Sequence, residues 1–305
     1  MKPELPAAIV QAPPTGWHVW WTAARPRTLT LATAPVLVGT ALAWAEGAPF
    51  VWLAALAALL AALLIQIGTN LHNDAADYER GNDRADRLGP LRVTAAGWAS
   101  AGRVRGAARG AFGLAFLLGG YLVAVGGAPI LAIGCASLVA ALAYSGGRRP
   151  ISHTPFGELF VWIFFGVLAV VGSYWLQAAH LSATAVLAGA AVGLPAAAVL
   201  LVNNLRDLAA DTRAGRRTLA AVLDDRGARR FYALLMLLPY AGLPFLAASG
   251  RLGAWLALLV LPASLALARR LRSGESGPVL NLVLARTAQC ALGFAALLAL
   301  GVLLV

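Results

Sequence analysis

The stretch QIGTNLHNDAADYERGNDRADRLGPL, Gln66–Leu91, decides how the whole chain is read. It begins as the end of an apolar run and then places four aspartates, Asp74, Asp77, Asp83 and Asp86, within thirteen residues. At about 100° of rotation per residue, Asn70, Asn73 and Asp77 share one narrow arc of a helix, with Asp74 just beside it. His72 lies about 200° from Asn70 and faces away. A second stretch, LVNNLRDLAADTRAGRRTL (Leu201–Leu219), ends another apolar run in the same manner, with Asn203, Asp207 and Asp211 on one face. Asn73 and Asp207 are 134 residues apart, as are Asp77 and Asp211, so the device occurs twice. The offset reads as a weak internal repeat of two four-helix units with one further helix.

The background to these motifs is a membrane protein. The 305 residues are 60% hydrophobic and only 12% charged, with a mean hydropathy of +0.76. A soluble domain carries roughly 25% charged residues. Apolar runs near the roughly 20 residues that span hydrocarbon recur along the chain. The spacing predicts an all-α, polytopic protein with nine spans near 28–46, 51–72, 109–126, 129–146, 157–177, 183–206, 229–248, 252–268 and 282–304. These are expected to surround a central cavity with a cytoplasmic cap. Residues 1–24 read as a tail plus an interfacial segment, WHVWW, and 25–305 as one transmembrane domain. Ala41-Leu42-Ala43 mimics a leader cleavage site, but the preceding segment lacks the usual positive flank, and no cleavage is expected.

A net charge of +11 would suit a nucleic-acid binder, but its distribution argues against one. The connections after spans one, three, five and seven hold one basic residue, Arg251, and one acid, Glu46; the other 23 of 24 Lys and Arg residues lie at the opposite ends. That is the positive-inside pattern. It puts the N terminus and both acidic stretches on the cytoplasmic side of a bacterial inner membrane, with membrane lipid as the surrounding partner. Cys135 and Cys290 sit in separate apolar runs without metal-ligand spacing and read as packing residues.

Acids just past a helix end are ordinarily solvated, which suffices for Asp83 and Asp86. Asn73, Asp77, Asp207 and Asp211 are continuous with apolar spans, where an ionisable group costs a few kcal/mol and implies function. Two like charges at 4 Å repel by roughly 4 kcal/mol at an effective dielectric of 20. A cation would remove that cost, so deleting one acid is not expected to destabilise the metal-free protein. Carboxylate and amide oxygens without Cys or convergent His favour a hard ion such as Mg²⁺, completed by substrate phosphate. Arg87, Arg149, Arg216 and Arg217 stand beside turn-forming residues and are candidate phosphate ligands. Arg80, Arg84, Arg92, Arg148 and Arg213 are also suited to a diphosphate, with topogenic charge the competing reading for them.

These motifs resemble the UbiA superfamily of intramembrane aromatic prenyltransferases. Asn73-Asp74-x-x-Asp77 matches its first signature, and Gly81, Asp83, Asp86-Arg87, Gly89-Pro90 and Arg92 match the branch that prenylates 1,4-dihydroxy-2-naphthoate. Asp207, Asp211 and Gly215-Arg216-Arg217-Thr218-Leu219 match the second signature. Arg25–Ala43, Tyr144–Gly166 and Leu280–Ala288 are similar to that branch too, although Arg148 departs from its usual turn. The resemblance implies transfer of a polyprenyl group from a polyprenyl diphosphate to the naphthoate, with decarboxylation, giving demethylmenaquinone. It implies Mg²⁺ held by Asn73, Asp77, Asp207 and Asp211 with Asp74 near them. Asn70 and the four arginines would bind diphosphate, and Tyr144 and Asn203 would line the pocket, with Phe156 and Trp162 close enough to contribute.

A relative using 4-hydroxybenzoate, homogentisate or haem is the nearest alternative. A cation-coupled transporter is disfavoured because its acids would lie at the midplane, not at span ends. The topology has a direct test. In a background without Cys135 and Cys290, single cysteines near Gly127, His180 or Gly250 should label from outside intact cells, and cysteines near Asn82 or Gly215 should not. The reverse pattern would overturn the orientation.

Overall fold

The computed structural model describes residues 16–82 and 88–304. Among them there is no strand. Eight helices are long and apolar enough to cross a membrane. A short helix α1 (Trp17–Ala24) precedes them. The long helices are α2 (Pro26–Ala45), α3 (Trp52–Glu79), α4 (Ala101–Ser145), α5 (Gly157–Ala178) and α6 (Ala183–Arg206). A single short helix, α7 (Leu208–Arg213), follows. The last three are α8 (Leu219–Ala248), α9 (Leu252–Arg272) and α10 (Gly277–Leu304).

Spans expected at 109–126 and 129–146 form one 45-residue helix, α4, broken at Gly127, whose φ of 68° and ψ of −153° lie outside the helical region. A straight helix of that length would reach about 68 Å, roughly twice the hydrocarbon core. It folds back instead. Near its start Arg105 pairs with Glu79, and at its end the Ser145 carbonyl accepts a 2.6 Å bond from Arg80. Leu122 and Ile130, flanking the break, pack with Ala54 and Ala57 at the other end of α3. Pro129 lacks the N–H that would continue the helix across the bend.

The connections sort onto two faces. At one, Glu46 accepts hydrogen bonds from Tyr174 and, at 2.5 Å, from Thr184, while Arg251 reaches the Ala45 carbonyl at 2.8 Å. At the other lie the two acidic motifs. Residues 17–24, read as an interfacial segment, pack against the bundle: Val19 and Ala23 lie with Leu71, Ala75 and Val93. The apolar spacing within WHVWWTAA supplies that inward stripe while Trp17, Trp20 and Trp21 remain exposed.

Helix α6 is the central element, with 72% of its apolar window buried against 11% for α4. In lipid, helices gain little by hiding apolar surface from each other, so close approach of small residues takes over. Gly189 and Gly193, four apart on α6, meet Gly166 on α5; a Cβ on Gly193 would fall 2.6 Å from the Trp162 carbonyl oxygen and 2.9 Å from the Gly166 Cα. The segment that carries Gly166, Ile163–Val167, winds as a π-turn. The extra residue per turn puts Phe160, Phe164 and Phe165 all on the same cavity. Overpacking this crossing should be costly. Gly193→Leu is expected to destabilise by about 1–3 kcal/mol, read as a lowered Tm, whereas Gly110→Ala, with open space around it, should leave Tm unchanged.

Candidate active site

The last turns of α3 carry the first motif. Asp77 is 4% exposed, and its carboxylate accepts from Arg92 at 2.6 Å, Arg216 at 3.0 Å and Asn82 at 3.2 Å. Arg92 also holds the Asn73 carbonyl at 3.1 Å. Asp74 points elsewhere. Its two oxygens take the backbone amides of Val93 and Thr94, each at 3.1 Å. A fully buried carboxylate satisfied by two amides anchors the returning chain, so the structure sets Asp74 apart from the expected acidic cluster.

The second motif begins where α6 ends. Asp207 leaves the helical conformation (φ −93°, ψ 4°) and starts α7, whose Asp211 amide bonds back to the Asp207 carbonyl at 2.8 Å. The first motif is continuous helix and the second is broken, so the two repeats are not copies. Arg216 then closes the gap between them, donating to Asp211 at 3.2 Å and to Asp77 at 3.0 Å. Asp207 takes no part in this bridge. Both its oxygens are held by Arg206, at 2.9 and 2.6 Å.

Arg206 is a residue of this site that the sequence reading passed over, whereas Arg92, already part of the first signature, is placed on Asp77. The signal was present for Arg206: a charge inside an apolar run, directly before Asp207, is costly unless partnered. The other expected residues divide. Asn73, Asn203 and Tyr144 line one cavity. Asn70 lines it too, but its amide is spent on the Ala24 carbonyl at 2.9 Å and on Thr28 at 3.0 Å, tying α3 to the α1–α2 turn. Arg149 and Arg217 have exposed side chains and do not join the acid bridge; the Arg217 amide bonds to the His153 carbonyl at 3.1 Å. Arg87, with Asp83 and Asp86, lies outside the described residues. Burial, then the charge of Arg216, pushes the His153 imidazole down to about 4, so it is neutral at physiological pH.

The cavity measures about 1010 Å³. Its polar end carries Asn73, Asn203, Arg206 and Asn281, and its apolar body runs past Tyr144, Phe160 and Phe164 to Ile130 and Leu176. Phe156 and Trp162 are not on it; Phe156 is 58% exposed, and the Trp162 indole donates to the Ala190 carbonyl at 3.0 Å. Phe160 and Phe164 replace them, stacked with centroids 5.7 Å apart. This polar end and long apolar body within a membrane bundle match a molecule with a polar head and a long apolar tail. The sequence matches the model of the UbiA prenyltransferase family over residues 32–278.

The chain belongs to the UbiA prenyltransferase family. It is 39% identical over 295 residues to the 1,4-dihydroxy-2-naphthoate octaprenyltransferase of Escherichia coli (strain K12), covering 94% of this chain and 96% of that one. It is 38% identical to the enzyme of the same name from Mycobacterium tuberculosis, over 88% of this chain and 91% of that one. Among solved structures, the fold is similar to a UbiA homolog from Archaeoglobus fulgidus bound to GPP and Mg²⁺, with TM-score 0.65, 16% identity and coverage of 94% and 100%. It is also similar to the apo structure of a UbiA homolog from Aeropyrum pernix K1, with TM-score 0.66, 20% identity and coverage of 90% and 96%.

The donor chemistry fits a hard divalent cation. Asp77 and Asp211 present oxygens to one guanidinium, which occupies the space between two carboxylates as a positive charge must. Among the described residues, no three His, Cys, Asp or Glu side chains converge. A pair of carboxylates suits Mg²⁺, which commonly takes its remaining ligands from substrate phosphate and water. The arginines also revise the expected energetics. The acids are not held in uncompensated repulsion; Asp77 and Arg92 are each 6% exposed at the side chain and paired. Removing one partner of such a buried pair costs about 3–5 kcal/mol. Asp77→Ala should therefore lower Tm even without metal. Arg216→Gln, which leaves two carboxylates facing each other, should show a larger Mg²⁺-induced rise in Tm than the wild type. Equal responses would mean that Arg216 does not occupy the cation position.

Proposed function

We propose that this chain transfers a polyprenyl group from a polyprenyl diphosphate to 1,4-dihydroxy-2-naphthoate, with loss of the ring carboxylate, in menaquinone synthesis. The observation that carries the reading is one cavity whose polar end, Asn73, Asn203, Arg206 and Asn281, belongs to or contacts the two acidic motifs, with an apolar, aromatic body behind it. A diphosphate head on a long hydrocarbon tail matches that polarity. The 39% identity to the Escherichia coli octaprenyltransferase supports the naphthoate as acceptor.

Asp77 and Asp211 would hold Mg²⁺, with Asp207 and Asn73 beside them. When bound, the metal neutralises diphosphate charge and stabilises the departing group. Arg92 and Arg216, already at these carboxylates, offer donors to the leaving phosphate oxygens. As the allylic C–O bond breaks, its electron pair leaves with diphosphate oxygen and the carbon becomes cationic. Tyr144, Phe160, Phe164 and Phe165 line the space in which that cation forms; aromatic faces stabilise it, and the apolar walls exclude water. The electron-rich naphthoate ring attacks through the carbon bearing its carboxylate. The new C–C bond forms there, and the C–CO₂⁻ electron pair returns to the ring as CO₂ departs. No proton has to be removed from that carbon. The product is the prenylated hydroquinone, the reduced form of demethylmenaquinone.

In this reading the break at Gly127 lies at the far membrane surface. Helix α4 then crosses twice, the chain crosses nine times, and the motif-bearing loops cap the cytoplasmic face of a bacterial membrane. The gathering of arginines at that end supports it.

The acceptor is tested by giving the purified protein one polyprenyl diphosphate with the naphthoate and 4-hydroxybenzoate in competition. The expected product is naphthoate-derived and lacks the carboxylate, and chelation of Mg²⁺ abolishes it. Chiefly hydroxybenzoate-derived product, or a naphthoate product that keeps its carboxylate, would overturn the assignment.

A further inference from the structure

Arg206 is the most enclosed charge at the cavity mouth, with no exposed side-chain surface. Such a group persists when its nitrogens are partnered, and here each of the three has a partner. Its Nε and Nη2 hold Asp207, Nη2 also donates to Asn203 Oδ1 at 2.9 Å, and Nη1 donates to Asn281 Oδ1 at 2.8 Å. Asn281 belongs to the first turns of α10, the last helix of the chain. The other end of its amide is used as well: Nδ2 donates to the Leu88 carbonyl at 2.8 Å.

That second bond reaches the rim of the cavity, where Gly89, Pro90 and Leu91 form part of the wall. Among the described residues it is the one hydrogen bond made by the backbone of Leu88–Leu91. Pro90 has no N–H to donate. Among the described residues the rim is thus tied to the rest of the fold by this side chain, which is oriented by the same guanidinium that orients Asp207. Nothing in the chemistry of diphosphate ionisation requires Asn281, yet it lies between the second acidic motif and the wall that keeps water from the cation.

We propose that Arg206 and Asn281 are positioning residues: together they fix Asp207 and brace the Leu88–Leu91 rim against the cavity mouth. This deepens the prenyl-transfer reading and rests on it. The brace decides whether the allylic carbon meets the aromatic ring or water. With the rim released, water adds to the carbon, loses a proton and gives free prenol and diphosphate, so substrate is consumed without transfer.

The test separates the two ends of the amide. Asn281→Asp keeps an oxygen for Arg206 and removes the donor to Leu88; Asn281→Ala removes both. Each is made in the cysteine-free background with Leu91→Cys as a maleimide reporter, and Tm is measured alongside. Expected for both variants is a transfer kcat about tenfold lower, the low end for losing a hydrogen bond at a charged network. The KM for the diphosphate should stay unchanged, the share of prenol should rise, and maleimide labelling of the reporter thiol should be faster. Wild-type partition and labelling in both variants would overturn the proposal. So would an Asp variant that behaves as wild type while the Ala variant fails, since Asn281 would then serve Arg206 alone. If Asn281→Ala does not insert, the Asp variant and the labelling rate still decide. A wild-type background that transfers to no aromatic acceptor, yet shows the labelling difference, would remove the prenyl-transfer reading and leave the brace standing.

Discussion

Two carboxylates from distant parts of the chain share one guanidinium, and the arrangement of the mouth follows from that. Asp77 and Arg216 are 139 residues apart in sequence and 3.0 Å apart in space. Bringing Asp77 and Asp211 to one place without a positive charge between them would cost several kcal/mol in a partly dry environment. Arg216 supplies that charge from the loop after α7, and Arg92 supplies a second from the loop after α3. The two loops are thereby fastened over the helix ends. The same guanidiniums that neutralise these carboxylates carry the donors that suit phosphate oxygens.

Behind the mouth the constraint is different. Helices in lipid have no water to escape, so their packing rests on shape and on small residues. Gly166, Gly189 and Gly193 let α5 and α6 touch at the backbone. The π-turn on α5 then directs Phe160, Phe164 and Phe165 to one side. Tight packing on one face of α5 and an open aromatic wall on the other are two results of the same local geometry. The cavity is left unfilled where α4 folds back at Gly127, since its two arms stand around the space without closing it.

Buried arginines at this site divide their labour by partner. Arg92 and Arg216 face carboxylates that have further coordination to offer. Every nitrogen of Arg206 donates to a side chain of α6, α10 or its neighbour Asp207. A guanidinium partnered at every nitrogen holds geometry, and one with a nitrogen left over, such as Arg216 with its buried Nε unpaired, retains capacity for a ligand. The distinction lies in hydrogen-bond satisfaction and cannot be seen in charge alone.

The sequence by itself determined that the chain is a helical membrane protein, where its apolar runs lie, which connections carry charge, and that two acidic motifs recur at a fixed offset. Hydropathy and helical periodicity are properties of neighbours along the chain, so they survive without knowledge of packing. Only the tertiary structure decided the use of each residue. Asp74 and Asp77 are near neighbours on one helix, yet one is spent on the amides of Val93 and Thr94 and the other meets Arg92 and Arg216. Arg206 looked like one more topogenic charge because its deciding partner, Asn281, lies 75 residues away. Phe156 and Trp162 gave way to Phe160 and Phe164 because nearness in sequence does not say which side of α5 faces the cavity. Partner choice is set by which elements approach through space, and no local pattern encodes that approach.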